Sequence, residues 1–180
     1  GEPENICLLA KGAKGTGAVL LELLFEGYFF TGSYKTGKYI YEKVAAKMVP
    51  CKCELGGKDP LYIAEDVADI RQAAAGTADG AFYNNGQSCC SVERIYVHEN
   101  IYDKYLDEFV KEVKSWKTGL PTEDGVYLGA LTRNEQLDLL AHQISDALEK
   151  CADIITGGKR IERKGYFFEP TVLTNVTHDM

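Results

Sequence analysis

Apolar and polar positions alternate in period along the chain, and the switches between periods predict its elements. Ile6 to Ala10 is a short apolar run that reads as a strand, followed by the glycine-rich loop KGAKGTG and a helical stretch from Ala18 to Leu24. The aromatic run Tyr28 to Thr31 predicts a buried strand. After the turn GSYKTG, apolar residues at Ile40, Val44 and Met48 recur every fourth position and predict a helix from Tyr39 to Met48. Pro50 ends it, and Cys51 to Leu55 reads as a strand stopped by Gly56-Gly57. Leu61 to Ile63 is short and apolar, and a helix opens at Asp66 with Val67, Ile70, Ala74 and Phe82 broadly on one side. NNGQS breaks it, and Ser91 to His98 alternates as a strand. Asn100 is the expected cap of a helix from Ile101 to about Lys114, with Tyr102, Leu106, Phe109 and Val113 on its inner face. Thr132 is the expected cap of another from Arg133 to Lys150, and Asp153 to Thr156 is a last strand before Gly157-Gly158.

Strands and helices alternate throughout, which predicts an α/β chain: mostly parallel sheets with helices on both faces. The regular alternation is interrupted at GGKDP, so a seam is expected between Glu54 and Pro60.

Composition narrows the picture slightly. Of 180 residues, 45% are apolar and 26% charged, as in ordinary globular chains. The net charge of −7 argues against nucleic acid as the partner, because phosphate backbones want a basic face. No apolar run is long enough to span a bilayer, since Glu22, Glu26 and Gly27 break the richest stretch. The stretch GEPENICLL lacks the basic region of a signal peptide, so none is expected, and six cysteines read as reduced thiols in the cytoplasm rather than as a secreted disulfide framework. A first residue of Gly rather than Met reads as a piece of something longer.

Three stretches carry candidate chemistry. GSYKTGK follows a strand and opens a helix, where backbone amides attract phosphate. It falls one residue short of the magnesium-binding nucleotide loop, because Tyr39 stands where Ser or Thr must hold the metal. The Cys89-Cys90 pair in YNNGQSCCS has four readings: a disulfide, metal ligands, buried hydrophobes, or one nucleophile beside a bystander. A disulfide between neighbours strains the intervening peptide, and zinc wants spaced ligands. The loop position and the small residues before the thiols suit a nucleophilic thiolate. Glu54 ends a strand beside two glycines that leave its side chain uncrowded, which suits a base.

Glu54-Leu55-Gly56-Gly57-Lys58-Asp59-Pro60, followed by Asn85-Gly86-Gln87-Ser88-Cys89, resembles the aldehyde dehydrogenase superfamily, and Phe30-Thr31-Gly32-Ser33 with Gly37 is similar to that family's cofactor turn. The resemblance implies that Cys89 attacks an aldehyde and that its backbone amide helps hold the oxyanion. It implies Glu54 as the base that activates water, and Gly32, Ser33, Gly37 and Leu55 at an NAD or NADP site. It implies the end of a cofactor domain (1–53) joined to most of a catalytic domain (54–180), in a parent that is a homo-oligomer acting on a small-molecule aldehyde, with no metal, nucleic acid or membrane. Lys58 and Arg94 are expected as structural partners, and Cys90 has no assigned role. The family's tryptophan-asparagine segment is missing, since the single Trp116 precedes Lys117, and the motif that grips the nicotinamide ribose would follow Met180. This predicts an internal fragment without dehydrogenase turnover of its own. The alternatives are a non-catalytic relic or binding module, a nucleotide hydrolase, or a residual thiol esterase.

Overall fold

A computed structural model describes residues 6–13 and 15–180. The chain separates into two compact units, Gly1–Gly56 and Gly57–Met180. Among the described residues no helix is long and apolar enough to cross a membrane.

The first unit is a helix, a strand, a helix and a strand: α1 (Thr16–Glu22), β1 (Tyr28–Gly32), α2 (Tyr34–Ala45) and β2 (Cys51–Leu55). β1 and β2 pair in parallel, with Tyr28 opposite Cys51 and Gly32 opposite Leu55. Such pairing needs a crossover, which α2 supplies while packing on both strands. β2 alternates: Cys51, Cys53 and Leu55 are half-buried, while Lys52 and Glu54 are exposed. Cys53 Sγ lies 3.9 Å from the Gly37 carbonyl, so the buried face of β2 is the one under α2. Lys47 draws the pieces together, donating to the carbonyls of Leu21 at 2.5 Å and Leu23 at 2.6 Å and to Tyr28 Oη at 2.8 Å.

Three expectations are corrected here. Ile6 to Ala10 forms no strand; these residues are exposed and have no ladder partner among the described residues. Lys14, in the KGAKGTG loop, lies outside the described residues. β1 is not a buried strand: Phe29 is 81% exposed, because α2 covers only one face of the pair. α2 begins five residues before Tyr39, because Ser33 caps it. Ser33 Oγ accepts from Thr36 N at 3.3 Å. The helix also ends at Ala45, and Met48 beyond it takes a left-handed backbone (φ 55°) and points into solvent.

The second unit runs β3 (Asp59–Ile63), α3 (Ile70–Phe82), β4 (Val92–Val97), α4 (Tyr102–Ser115), β5 (Lys117–Thr118), β6 (Val126–Leu128), α5 (Asn134–Glu149), β7 (Asp153–Thr156) and β8 (Val172–Thr174). β3 pairs with β4 and β5 with β6 in parallel, and β7 with β8 antiparallel; the α/β class read from the sequence is the one adopted, with β5, β6 and β8 as strands that the sequence pattern did not announce. α3 packs against α4 and β4. Their shared core holds Ile63, Ala74, Ala78, Tyr105, Phe109, Val110, Val113 and Val172. Alanines on α3 let the aromatic face of α4 come close. Tyr105, Phe109 and Val113 fall at four-residue spacing and are buried, whereas Tyr102 and Leu106 flank that stripe half-exposed.

The expected caps of the later helices are also corrected. Asp69 caps α3, accepting from Gln72 N at 3.0 Å, so the helix starts at Ile70 rather than Asp66. Asn100 lies in a 3-10 turn (Glu99–Ile101) before α4 and gives its amide to Glu65 Oε1 at 2.6 Å. Thr132 does not cap α5, whose first residue follows Arg133. Its hydroxyl is used elsewhere.

Candidate active site

The loop between α3 and β4 is built from residues that tolerate an unusual backbone. Asn84, Asn85 and Gly86 have φ of 51°, 57° and 69°, three left-handed residues in a row. Asparagine is among the few side chains that accept this region, and glycine accepts it without cost. A Cβ on Gly86 would also stand 3.2 Å from the Ala81 carbonyl. The NNG triplet therefore reverses the chain directly after α3. A second turn follows, closed by Ser91 N donating to the Ser88 carbonyl at 3.3 Å, with Cys89 and Cys90 at its two central positions. Both thiols are exposed, and all six cysteines are free.

The loop is tied down on one side by long-range hydrogen bonds. Asn85 Nδ2 donates to the Ala130 carbonyl at 3.1 Å. Gln87 Oε1 accepts from Thr132 N at 3.0 Å and from Thr132 Oγ1 at 2.9 Å, while Gln87 Nε2 donates to the Asn84 carbonyl at 3.2 Å. On the other side Gly57 lies against it: a Cβ on Gly57 would sit 3.2 Å from the Cys89 carbonyl and 2.9 Å from Asp59 Oδ1. Lys58 and Arg94 join the base of the loop to the stretch that carries Gly57. Lys58 Nζ meets Glu93 Oε2 at 2.6 Å, and Arg94 Nε donates to the Lys58 carbonyl at 2.8 Å.

Cys90 has hydroxyl neighbours. Ser88 Oγ stands 3.4 Å and Tyr83 Oη 3.6 Å from its sulfur, and the two hydroxyls bond to each other. One proton lies between the two hydroxyl oxygens, so one hydroxyl at a time donates to the sulfur; this bonding, from Ser88 first and Tyr83 second, holds the Cys90 thiol below the ordinary value. The sign gives a pH prediction. Hydroxyl donors favour the thiolate, so alkylation of Cys90 should turn on at lower pH than for a free thiol, and Ser88→Ala should move that midpoint upward. Iodoacetamide labelling across pH, read by peptide mass, measures it. Identical midpoints in the two proteins would remove the hydroxyl effect.

In the first unit, Gly32 and Ser33 are exposed where β1 passes into α2, at the amide end of a 12-residue helix. Gly37 is buried one turn further on, and the Leu55 side chain packs where its Cβ would be. That contact fixes the start of α2 against the end of β2. Beside it lies an open cleft of about 330 Å³ lined by Tyr34, Gly37, Lys38, Tyr41, Glu42, Cys53 and Leu55. Cys51 Sγ and Cys53 Sγ share one face of β2, 3.9 Å apart, and burial pushes the Cys51 thiol up. Glu54 is exposed on the opposite face, second from the end of β2 and paired in register with Thr31.

The sequence-predicted residues thus fall into two groups. Gly32, Ser33, Gly37, Leu55 and Glu54 belong to the first unit, and Cys89 to the second. Sequence reading missed Asn85, Gln87 and Thr132 as a tether, and Ser88 and Tyr83 as neighbours of Cys90. A signal existed for the loop residues, because two asparagines before a glycine announce a left-handed run. No local signal announces Thr132, whose partner is 45 residues away.

The model of the aldehyde dehydrogenase family matches residues 1–180. The pea (Pisum sativum) protein aminoaldehyde dehydrogenase 1, peroxisomal, is 41% identical over 153 residues, 84% of this chain and 30% of that protein. Among solved structures, succinate-semialdehyde dehydrogenase from Burkholderia pseudomallei superposes with a TM-score of 0.88 at 35% identity, over 96% of this chain and 36% of that one. The NAD+ complex of aldehyde dehydrogenase from Bacillus cereus superposes with a TM-score of 0.87 at 36% identity, over 92% of this chain and 34% of that one. The chain spans about a third of the length of the curated relatives it matches.

Proposed function

The chain belongs to the aldehyde dehydrogenase family, and from that premise we propose that the whole protein oxidises an aldehyde to a carboxylic acid with NAD or NADP. Cys89 is the nucleophile and Glu54 the general base. The observation that carries this reading is the Cys89 turn: an exposed thiol at the centre of a turn held from one side by Gln87 and Asn85 and bounded on the other by Gly57. A nucleophile held in place before substrate arrives loses less entropy on reaction.

The Cys89 thiolate attacks the aldehyde carbonyl carbon, forming the C–S bond of a thiohemiacetal. The Cys89 backbone N–H donates to the oxygen as negative charge develops there. NAD(P)+, when bound, supplies the hydride acceptor that leaves a thioester on Cys89. Glu54 then takes a proton from water, the resulting hydroxide adds to the thioester carbonyl, and collapse expels the Cys89 thiolate and the carboxylic acid.

Gly32, Ser33, Gly37 and Leu55 would hold the cofactor. Gly32 and Ser33 are exposed at the amide end of α2, which suits a pyrophosphate, and the Gly37–Leu55 contact keeps that end in place. On this reading residues 1–53 are the end of a cofactor domain and 54–180 most of a catalytic one. The six free cysteines support a reducing compartment such as the cytoplasm, while the peroxisomal location in the pea relative's name is that protein's own. A homo-oligomeric parent belongs to the same proposal.

The test is labelling. Iodoacetamide should modify Cys89 ahead of Cys7 and Cys151, and brief incubation of the whole protein with an aldehyde substrate should protect Cys89 selectively. Equal labelling with no protection would defeat the assignment. Gly57→Ala probes the same turn, because its methyl would move the Asp59 carboxylate and press on the Cys89 carbonyl, which must give by a few tenths of an ångström. Misplacement approaching 1 Å costs up to about a hundredfold in rate, so a fall of roughly tenfold in kcat is expected. An unchanged kcat would show that Gly57 does not set the position of Cys89.

A further inference from the structure

We infer that Gln87 and Thr132 are positioning residues for the Cys89 thiol: they form a tether that sets where the nucleophile points. This rests on the nucleophile reading of Cys89. The tether crosses 45 residues of sequence and uses both hydrogen-bonding groups that Thr132 can turn toward Gln87, its N–H at 3.0 Å and its hydroxyl at 2.9 Å, on one acceptor atom. The other end of the Gln87 amide is spent too, on the Asn84 carbonyl at 3.2 Å. Gln87 is thereby fixed at both ends, two residues before Cys89. Asn85 adds a parallel strut to the Ala130 carbonyl at 3.1 Å. Together these bonds join a left-handed loop, which alone is a poor platform, to the segment between β6 and α5. Thr132 stands one residue before Arg133, the residue at the N-terminus of α5, so the segment that holds Gln87 is itself anchored by a 16-residue helix.

Without the tether the turn would be free to rotate about the left-handed residues, and Cys89 would sample orientations away from the substrate. A group that only stabilises the fold changes how many molecules are competent. A group that positions the thiol changes how fast each competent molecule reacts. Acylation by p-nitrophenyl acetate separates the two. Cys89 Sγ attacks the ester carbonyl and p-nitrophenolate leaves, so the burst amplitude counts formed sites and the burst rate reports their geometry.

The comparison uses the whole protein with Gln87→Leu, Thr132→Val and Thr132→Ser. Gln87→Leu removes the acceptor and should slow the burst about tenfold at unchanged amplitude, the scale of one or two hydrogen bonds. Thr132→Val removes only the hydroxyl and should slow it about threefold, and Thr132→Ser should restore the rate. Reduced amplitude with an unchanged rate would overturn the inference, because the tether would then serve the fold alone. Unchanged amplitude and rate in Gln87→Leu would overturn it as well. A burst that survives Cys89→Ala, or that is absent from the unaltered protein, would instead bring down the nucleophile reading itself.

Discussion

Cys89→Ala is expected to cut aldehyde oxidation by the whole protein by a factor on the order of ten thousand or more, the scale at which enzymes lose rate when their nucleophile is removed. The loss should appear in kcat, because the step removed is formation of the C–S bond and not binding. Folding should be almost untouched. Cys89 is exposed at a turn, where substitutions usually change stability by less than about 0.5 kcal/mol. An unaltered thermal midpoint beside a vanished rate therefore separates a chemical role from a structural one. Cys90→Ala is the internal control. Cys90 is next in the same turn, equally exposed, and carries the hydroxyl neighbours, yet it has no place in the proposed reaction. It should retain most of the rate. If Cys90→Ala were the silent variant and Cys89→Ala the active one, the nucleophile would have been assigned to the wrong sulfur.

Local pattern was enough where the residues that decide an element lie inside it. β2 and β7 have the bounds that apolar runs and flanking breakers predict, because Pro50, Gly56 and Gly157 settle their ends. The cysteine loop was legible for the same reason: NNG dictates its backbone from within. Reading failed where a distant group competes for a local one. Asn100 and Thr132 are both good caps by type, but their side chains bond Glu65 and Gln87, 35 and 45 residues away. Phe29 is a good core residue by type, and it is exposed because α2 covers the other face of its sheet. The overlooked Ser33 and Asp69 caps bond amides only three residues away and were open to local reading, whereas Asn100 and Thr132 bond side chains that the surrounding ten residues do not contain. The tether on the nucleophile loop belongs to that class, which is why the residue types around Cys89 could be recognised while the group that holds them could not.

Glu54→Gln is expected to separate the two halves of the proposed reaction. Glutamine keeps the shape of glutamate and cannot take a proton from water. Glu54 is exposed on the face of β2 turned away from α2, so the substitution disturbs no packing between them. Losing a general base costs about a hundred- to ten-thousand-fold. That loss should fall on thioester hydrolysis alone. Attack by Cys89 should proceed, so a single equivalent of NADH or of p-nitrophenolate should be released per site, followed by near silence. Cys89→Ala should release neither. The stalled thioester should be visible as an acyl adduct on the peptide containing Cys89, and hydroxylamine should discharge it. Raising the pH should recover part of the turnover in Glu54→Gln, since hydroxide then replaces the water that the carboxylate would have activated. Steady turnover at the unaltered rate would remove Glu54 from the mechanism. A lost burst with the fold intact would give Glu54 a different task, activation of the Cys89 thiol before attack rather than of water after it.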